Sequence, residues 1–163
     1  MAWTESGLFY CSLRDLLKGA LTSVSWVTTT NKISLASASA TPDFYGSVDP
    51  STWTSTAEVT GTNWAAGGIA FSAAGSGGGS LLPTLGHTGP GPTLLSYGAQ
   101  NVSVATTTIS TPAYGAYLYA AAQSPAAMIA GIWFGGTGFT TVAGTFAITW
   151  GGPNVIATIA CAA

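Results

Sequence analysis

Charge is nearly missing from this sequence. Lys, Arg, Asp and Glu make up 5% of its 163 residues, against about a quarter in an average soluble domain. The three basic and five acidic residues all lie at or before Glu58, and none follows in 59–163. Three cations cannot build the basic patch that phosphate contacts need, so nucleic acid is not an expected partner. Histidine occurs once, at His87, and cysteine twice, at Cys11 and Cys161. Zinc ligands come in clusters, so no metal site is expected, and no cofactor. The opening residues 1–6 lack the charged leader, apolar run and cleavage site of a secretory signal, which makes synthesis in a cytosol the expectation. In that compartment two distant cysteines read as thiols rather than a bridge. A surface so poor in charge is not kept monomeric by repulsion, and its expected fate is burial against other chains.

What the chain has instead is Gly, Ala, Ser, Thr and aromatic residues in short alternating runs. Its length fits one domain with one core, residues 1–163. Leu13, Leu16, Leu17, Ala20, Leu21 and Val24 recur at three- and four-residue spacing. They predict one amphipathic helix near the start, with Ser12 as its cap and Asp15 in its first turn. That helix reads as a cover for a sheet, because its polar face lacks the basic excess of membrane-surface helices. The period then changes to two at Val24-Ser25-Trp26 and at Lys32-Ile33-Ser34-Leu35-Ala36, predicting strands joined by a turn at Thr30-Asn31. Prolines beside acids in 39–54 predict a loop that carries the aromatic anchors Phe44, Tyr45 and Trp53.

The organising stretch is 58–71, where Glu58, the last charge, is followed by Gly61, Trp64, Gly67 and Gly68. Its glycines allow a tight turn or positive φ between strands. Residues 73–99 are rich in Gly and Pro and read as a long inserted loop. No Gly-Lys-Ser or Gly-Lys-Thr follows the glycine run, so it is not read as a phosphate cradle. A connection of this length is expected to reach a neighbouring subunit, through Leu81, Leu82, Leu85, His87, Leu94, Leu95 and Tyr97.

Strand signals return at 102–109, 114–119, 128–134, 144–150 and 154–159, separated by Gly, Pro, Ser or Asn. Gly151-Gly152-Pro153-Asn154 reads as a hairpin turn between the last two. Residues 113–133 carry no charge and are long enough to span a bilayer. Pro125 and the alternation Tyr117-Leu118-Tyr119 make them two β segments and a turn instead, so no membrane is expected. The fold class that follows is mainly β: an antiparallel sandwich, jelly-roll-like, with one short helix and the Gly/Pro-rich insertion.

Catalysis finds few candidates. Any triad would have to use His87, which sits among Gly and Pro, and no nucleophile elbow surrounds Ser76. Asp43, Asp49 and Glu58 read as solvated turn acids rather than a glycosidase pair or calcium loop. The chain is not read as an enzyme.

Leu16 and Leu17 in a helix, the strand Lys32-Ile33-Ser34-Leu35, and Glu58-Val59-Thr60-Gly61-Thr62-Asn63-Trp64-Ala65-Ala66-Gly67-Gly68 together resemble a family of small virion structural proteins of tailed bacteriophages. Members carry a similar Glu-Val-Ser-Gly-Thr-Gly-Tyr-x-x-Gly-Gly segment. Gly115-Ala116-Tyr117-Leu118-Tyr119, Met128-Ile129-Ala130 and Gly144-Thr145-Phe146-Ala147-Ile148-Thr149-Trp150 resemble the family's last strands. The likeness covers about 8–72 and 100–160. Asn63 and Trp64 stand where the family has Gly and Tyr, and the insertion at 73–99 is longer. The resemblance implies a virion protein made in the host cytoplasm: a capsid decoration, or cement, protein on the outside of a head. Its partners would be the major capsid protein and copies of itself, as a homo-oligomer such as a trimer. The alternatives are a tail tube or tail-tip subunit, and a receptor- or carbohydrate-binding module on a fibre, which Trp53, Trp64, Tyr97 and Trp133 would serve.

Overall fold

A computed structural model describes residues 3–17, 30–45, 52–70, 84–88, 94–98, 101–150 and 155–160. The chain is mainly β, with antiparallel sheets and one short helix. Strand β1 (Gly7–Leu8) leads into helix α1 (Tyr10–Leu17). The strands that follow are β2 (Asn31–Ala36), β3 (Glu58–Val59), β4 (Ile69–Ala70), β5 (Thr84–Thr88) and β6 (Leu94–Gly98). The last five are β7 (Val102–Ala113), β8 (Gly115–Ala120), β9 (Ala127–Trp133), β10 (Phe139–Ile148) and β11 (Val155–Ala160).

One sheet runs β1-β9-β8-β2-β3, with β4 also on β2. Its centre is β2 and β8, paired from Asn31↔Ala120 to Ala36↔Gly115. Alternation sends Ile33, Leu35, Ala116 and Leu118 to one side, where they meet Val102, Ile109, Phe146 and Ile148 of β7 and β10 in a shared core. The other side is also covered. There Trp3, Phe9, Ala36, Phe44 and Tyr117 form a second cluster. Trp3 stacks on Tyr117 with ring centroids 4.9 Å apart, and Trp53 stacks on Tyr119 at 4.5 Å while donating its indole N–H to Ser34 Oγ.

Several expectations are corrected. The helix starts at Tyr10, so Ser12 lies inside it, buried, rather than capping it. The backbone N–H of Tyr10 donates to the carbonyl of Phe44, and a tertiary contact replaces the hydroxyl cap. β10 and β11, read as the two arms of a hairpin, do not pair with each other: β10 pairs with β7, and β11 pairs with β6. Twelve residues of β7 give β10 a longer ladder than six-residue β11 could supply. The segment read as an inserted loop contains β5 and β6, which with β11 form a three-stranded sheet. His87, read as a loop residue, is in β5 opposite Leu95. Composition hid these strands because Gly and Pro bracket them so closely.

Residues 113–133 fold as the end of β7, β8, a turn and β9. Among the described residues no helix is long and apolar enough to cross a membrane. Cys11 is buried. Cys161, the strand read at 24–26 and the helical positions Ala20, Leu21 and Val24 lie outside the described residues.

Candidate contact surface

The stretch 58–70 is fixed by its own chemistry. Gly61 and Trp64 exchange backbone hydrogen bonds, N–H to O, at 2.9 and 3.1 Å, closing a tight turn. Asn63 supplies the positive φ this turn needs, at 60°, a conformation that Asn tolerates better than most side chains. Its side-chain amide donates to Thr106 O, and Thr62 bridges Thr108, so the turn is stapled to β7. Trp64 is fully buried, edge-on to Phe146 with centroids 5.4 Å apart.

Glu58 is not a solvated turn acid. It is half-buried, and its Oε1 accepts the N–H of Gly67 at 2.8 Å. The Tyr119 hydroxyl donates to the Gly67 carbonyl, so two side chains hold one residue through the peptide groups on either side of it. Burial raises the Glu58 carboxyl above its ordinary value near 4.5, outweighing the Gly67 and Gly68 N–H groups and the Lys32 ammonium, which pull it down. Burial, and then the Glu58 charge, push the Tyr119 hydroxyl up to about 12. The native state therefore holds the Glu58 proton to higher pH than the unfolded chain does. That contribution to stability is fully present below pH 4.5 and is lost as pH rises through the folded-state value. Thermal unfolding from pH 4 to 7 is expected to show wild type falling relative to Glu58→Gln as pH rises; parallel curves would contradict it. Asp43 behaves as a turn acid, its Oδ1 accepting the N–H of Tyr45. Asp49 lies outside the described residues.

The anchors expected at contacts separate. Phe44 is buried against Phe9, and Trp53 is half-buried on Tyr119. Tyr45 is 78% exposed. Leu85, His87, Leu94, Leu95 and Tyr97 fall on β5 and β6, with Leu85↔Tyr97, His87↔Leu95 and Thr88↔Leu94 in register. Leu81 and Leu82 lie outside the described residues.

Sequence reasoning missed a different surface. A row of ring contacts leads outward from Trp64 through Phe146 and Phe134 to Phe139, edge-on at both ends and tilted in the middle, with successive centroids 5.4, 6.4 and 6.0 Å apart. It ends at Phe139, 47% exposed, beside a cleft of about 420 Å³. Trp133 at the end of β9, Phe134 just after it, Ile148 on β10 and Trp150 beyond it line this cleft, and none of its lining residues is charged. Farther along β10, Val142 is 84% exposed. The alternation of 144–150 puts Phe146, Ile148 and Trp150 on one face, but nothing in the pattern brings Phe139 beside Phe134; the pairing of β10 with β7 does. A second cleft of about 310 Å³ lies over Phe9, Tyr117 and Met128, rimmed by Ser39, Thr41, Asp43, Thr54 and Thr56.

Among the described residues no group of three or more His, Cys, Asp or Glu side chains is placed to hold a metal ion. No protein-family description, no curated protein and no solved structure matches this chain.

Proposed function

We propose that this chain is a virion structural protein, and specifically a capsid decoration subunit that binds the outside of a bacteriophage head and reinforces the shell. One observation carries the reading: on charge-free β10, Phe139 is exposed beside an aromatic cleft and Val142 is exposed farther along the strand. Exposed apolar side chains on a charge-free strand suit a surface that is covered in use. A neutral interface avoids the cost of stripping water from charge, and many copies on a lattice multiply a modest contact. The partners in this reading are the major capsid protein and further copies of the chain. The β1-β9-β8-β2-β3 sheet and the β7–β10 pair would be the two layers of a sandwich of jelly-roll type. The resemblance at 58–68 points the same way.

The test is to image particles with and without the protein and to measure the temperature at which each releases its genome. Density on the shell, with earlier release in its absence, is expected. Density confined to the tail, with release unchanged, would overturn the decoration reading in favour of a tail subunit. The aromatic cleft also suits a sugar ring, so a receptor-binding role keeps one specific support: Trp133 and Trp150 line it. Glycan binding by the isolated protein, lost in Trp133→Ala with the fold intact, would establish that reading instead.

A further inference from the structure

We infer that copies of this chain join edge to edge through β10, two strands pairing antiparallel about a two-fold axis. The inference rests on the structural reading above and names the surface by which the copies meet. Among the described residues, β10 hydrogen-bonds to β7 alone, so its outer edge is a row of backbone donors and acceptors. Such an edge is a template for another strand, and proteins that stay monomeric guard it with Lys, Pro or an inward charge. β10 reads Phe139-Thr140-Thr141-Val142-Ala143-Gly144-Thr145-Phe146-Ala147-Ile148 and contains no Lys, Pro or charge; its register shifts are the one device of this kind that it carries.

The neutrality of the strand also selects the occupant. In a two-fold contact the same patch meets itself, so any charge near the axis would face its own copy. A strand without charge is self-complementary in this respect and offers nothing to attract a charged peptide. Antiparallel pairing centred on Ala143 and Gly144 sets Val142 opposite Thr145 of the second copy. Exposed Val142 then loses solvent against Thr145, while exposed Phe139, beside the aromatic cleft, lies near the end of the paired segment. Ala143, at φ 49°, and the register shifts on either side of it bend the strand, so the contact is short. Each pairing uses both β10 edges, and the assembly closes at two.

Sedimentation of the isolated chain at micromolar concentration is expected to give a dimer. Val142→Lys and Thr145→Glu each place a charge on exposed positions and are expected to weaken it about tenfold or more. An equal mixture of the two variants is expected to recover the dimer, because lysine then faces glutamate. Ala122→Lys, in the exposed turn between β8 and β9, is expected to leave the dimer unchanged. A monomer at all concentrations, a trimer, or variants without effect would overturn the inference. So would failure of the mixture to recover while both variants keep the wild-type circular dichroism spectrum. None of these measurements involves particles. A dimer with no density on any shell would defeat the decoration reading and leave the β10 contact standing; a monomer that nonetheless decorates heads would do the reverse.

Discussion

Alanine at position 68 is expected to lower the unfolding free energy by about 3 kcal/mol or more, a value typical of steric conflict combined with backbone strain. A Cβ placed on Gly68 would lie 2.0 Å from the carbonyl oxygen of Ile33 and 2.6 Å from its carbon. The obstacle is the backbone of β2, which is paired to β8 on one side and to β3 and β4 on the other, so no rotamer change relieves it. Gly68 also sits at φ 65°, where an L side chain is strained in any surroundings. Its neighbour gives the control. Gly67 has φ 79°, but the nearest atom to an added Cβ is the Tyr119 hydroxyl at 3.7 Å. Gly67→Ala should therefore cost only the backbone term, about 1 kcal/mol. Urea denaturation of the two variants measures the difference. Equal losses would show that the close approach to β2 does not matter.

The second large effect belongs to Trp64. Truncation to alanine is expected to cost about 3–5 kcal/mol, the usual result of emptying a buried aromatic site. The indole is fully buried and touches Phe146, the first link in the row of rings that reaches the surface. Its Nε1 is buried and has no hydrogen-bond partner. A buried donor left unmatched weakens the native state, so Trp64→Phe, which keeps a ring and removes that donor, should cost well under the alanine value. If the phenylalanine variant were as unstable as the alanine one, shape at this site would outweigh both effects. Near-ultraviolet circular dichroism, alongside denaturation, would report whether the rings beyond Trp64 keep their arrangement.

How much of this was legible in the sequence differs from element to element, for physical reasons. Period-two alternation at 32–36 announced a strand, and Ile33 and Leu35 are indeed fully buried. The same alternation suggests that Ser34 faces water, yet it is equally buried, because Trp53 reaches it from far along the chain. A pattern records the character of a face and not what comes to lie over it. At 58–68 the local cues were strong: a backbone that needs positive φ restricts the residue itself, and Gly67, Gly68 and Asn63 carry that restriction. Glu58 was misread as solvated because its partner is the Gly67 N–H nine residues on, and Gly67 is itself held by Tyr119 from β8, a separation no spacing rule covers. Strand pairing was the least legible. Chain proximity favoured a hairpin between β10 and β11, whereas β10 went to β7, with β8 and β9 between them in the chain. Phe139 as part of a candidate surface depends on that choice and was invisible without it.

The pairing of β1 with β9 bears on the order in which the chain can fold. Gly7 and Leu8 lie against Gly131 and Ala130, and the Ser6 hydroxyl accepts the N–H of Trp133, a contact that spans 127 positions. A contact of that span closes a very large loop, which slows folding relative to proteins held by local contacts. On a ribosome, residues 6–8 emerge early and have no strand to join until translation has passed Trp133. The interval leaves apolar Trp3, Leu8 and Phe9 uncovered in the growing chain, and binding of Trp3 and Phe9 into their cluster waits for Tyr117. Completion of the sheet is thus a late event, and release of β1 from β9 offers the native protein a route by which its edge can begin to open.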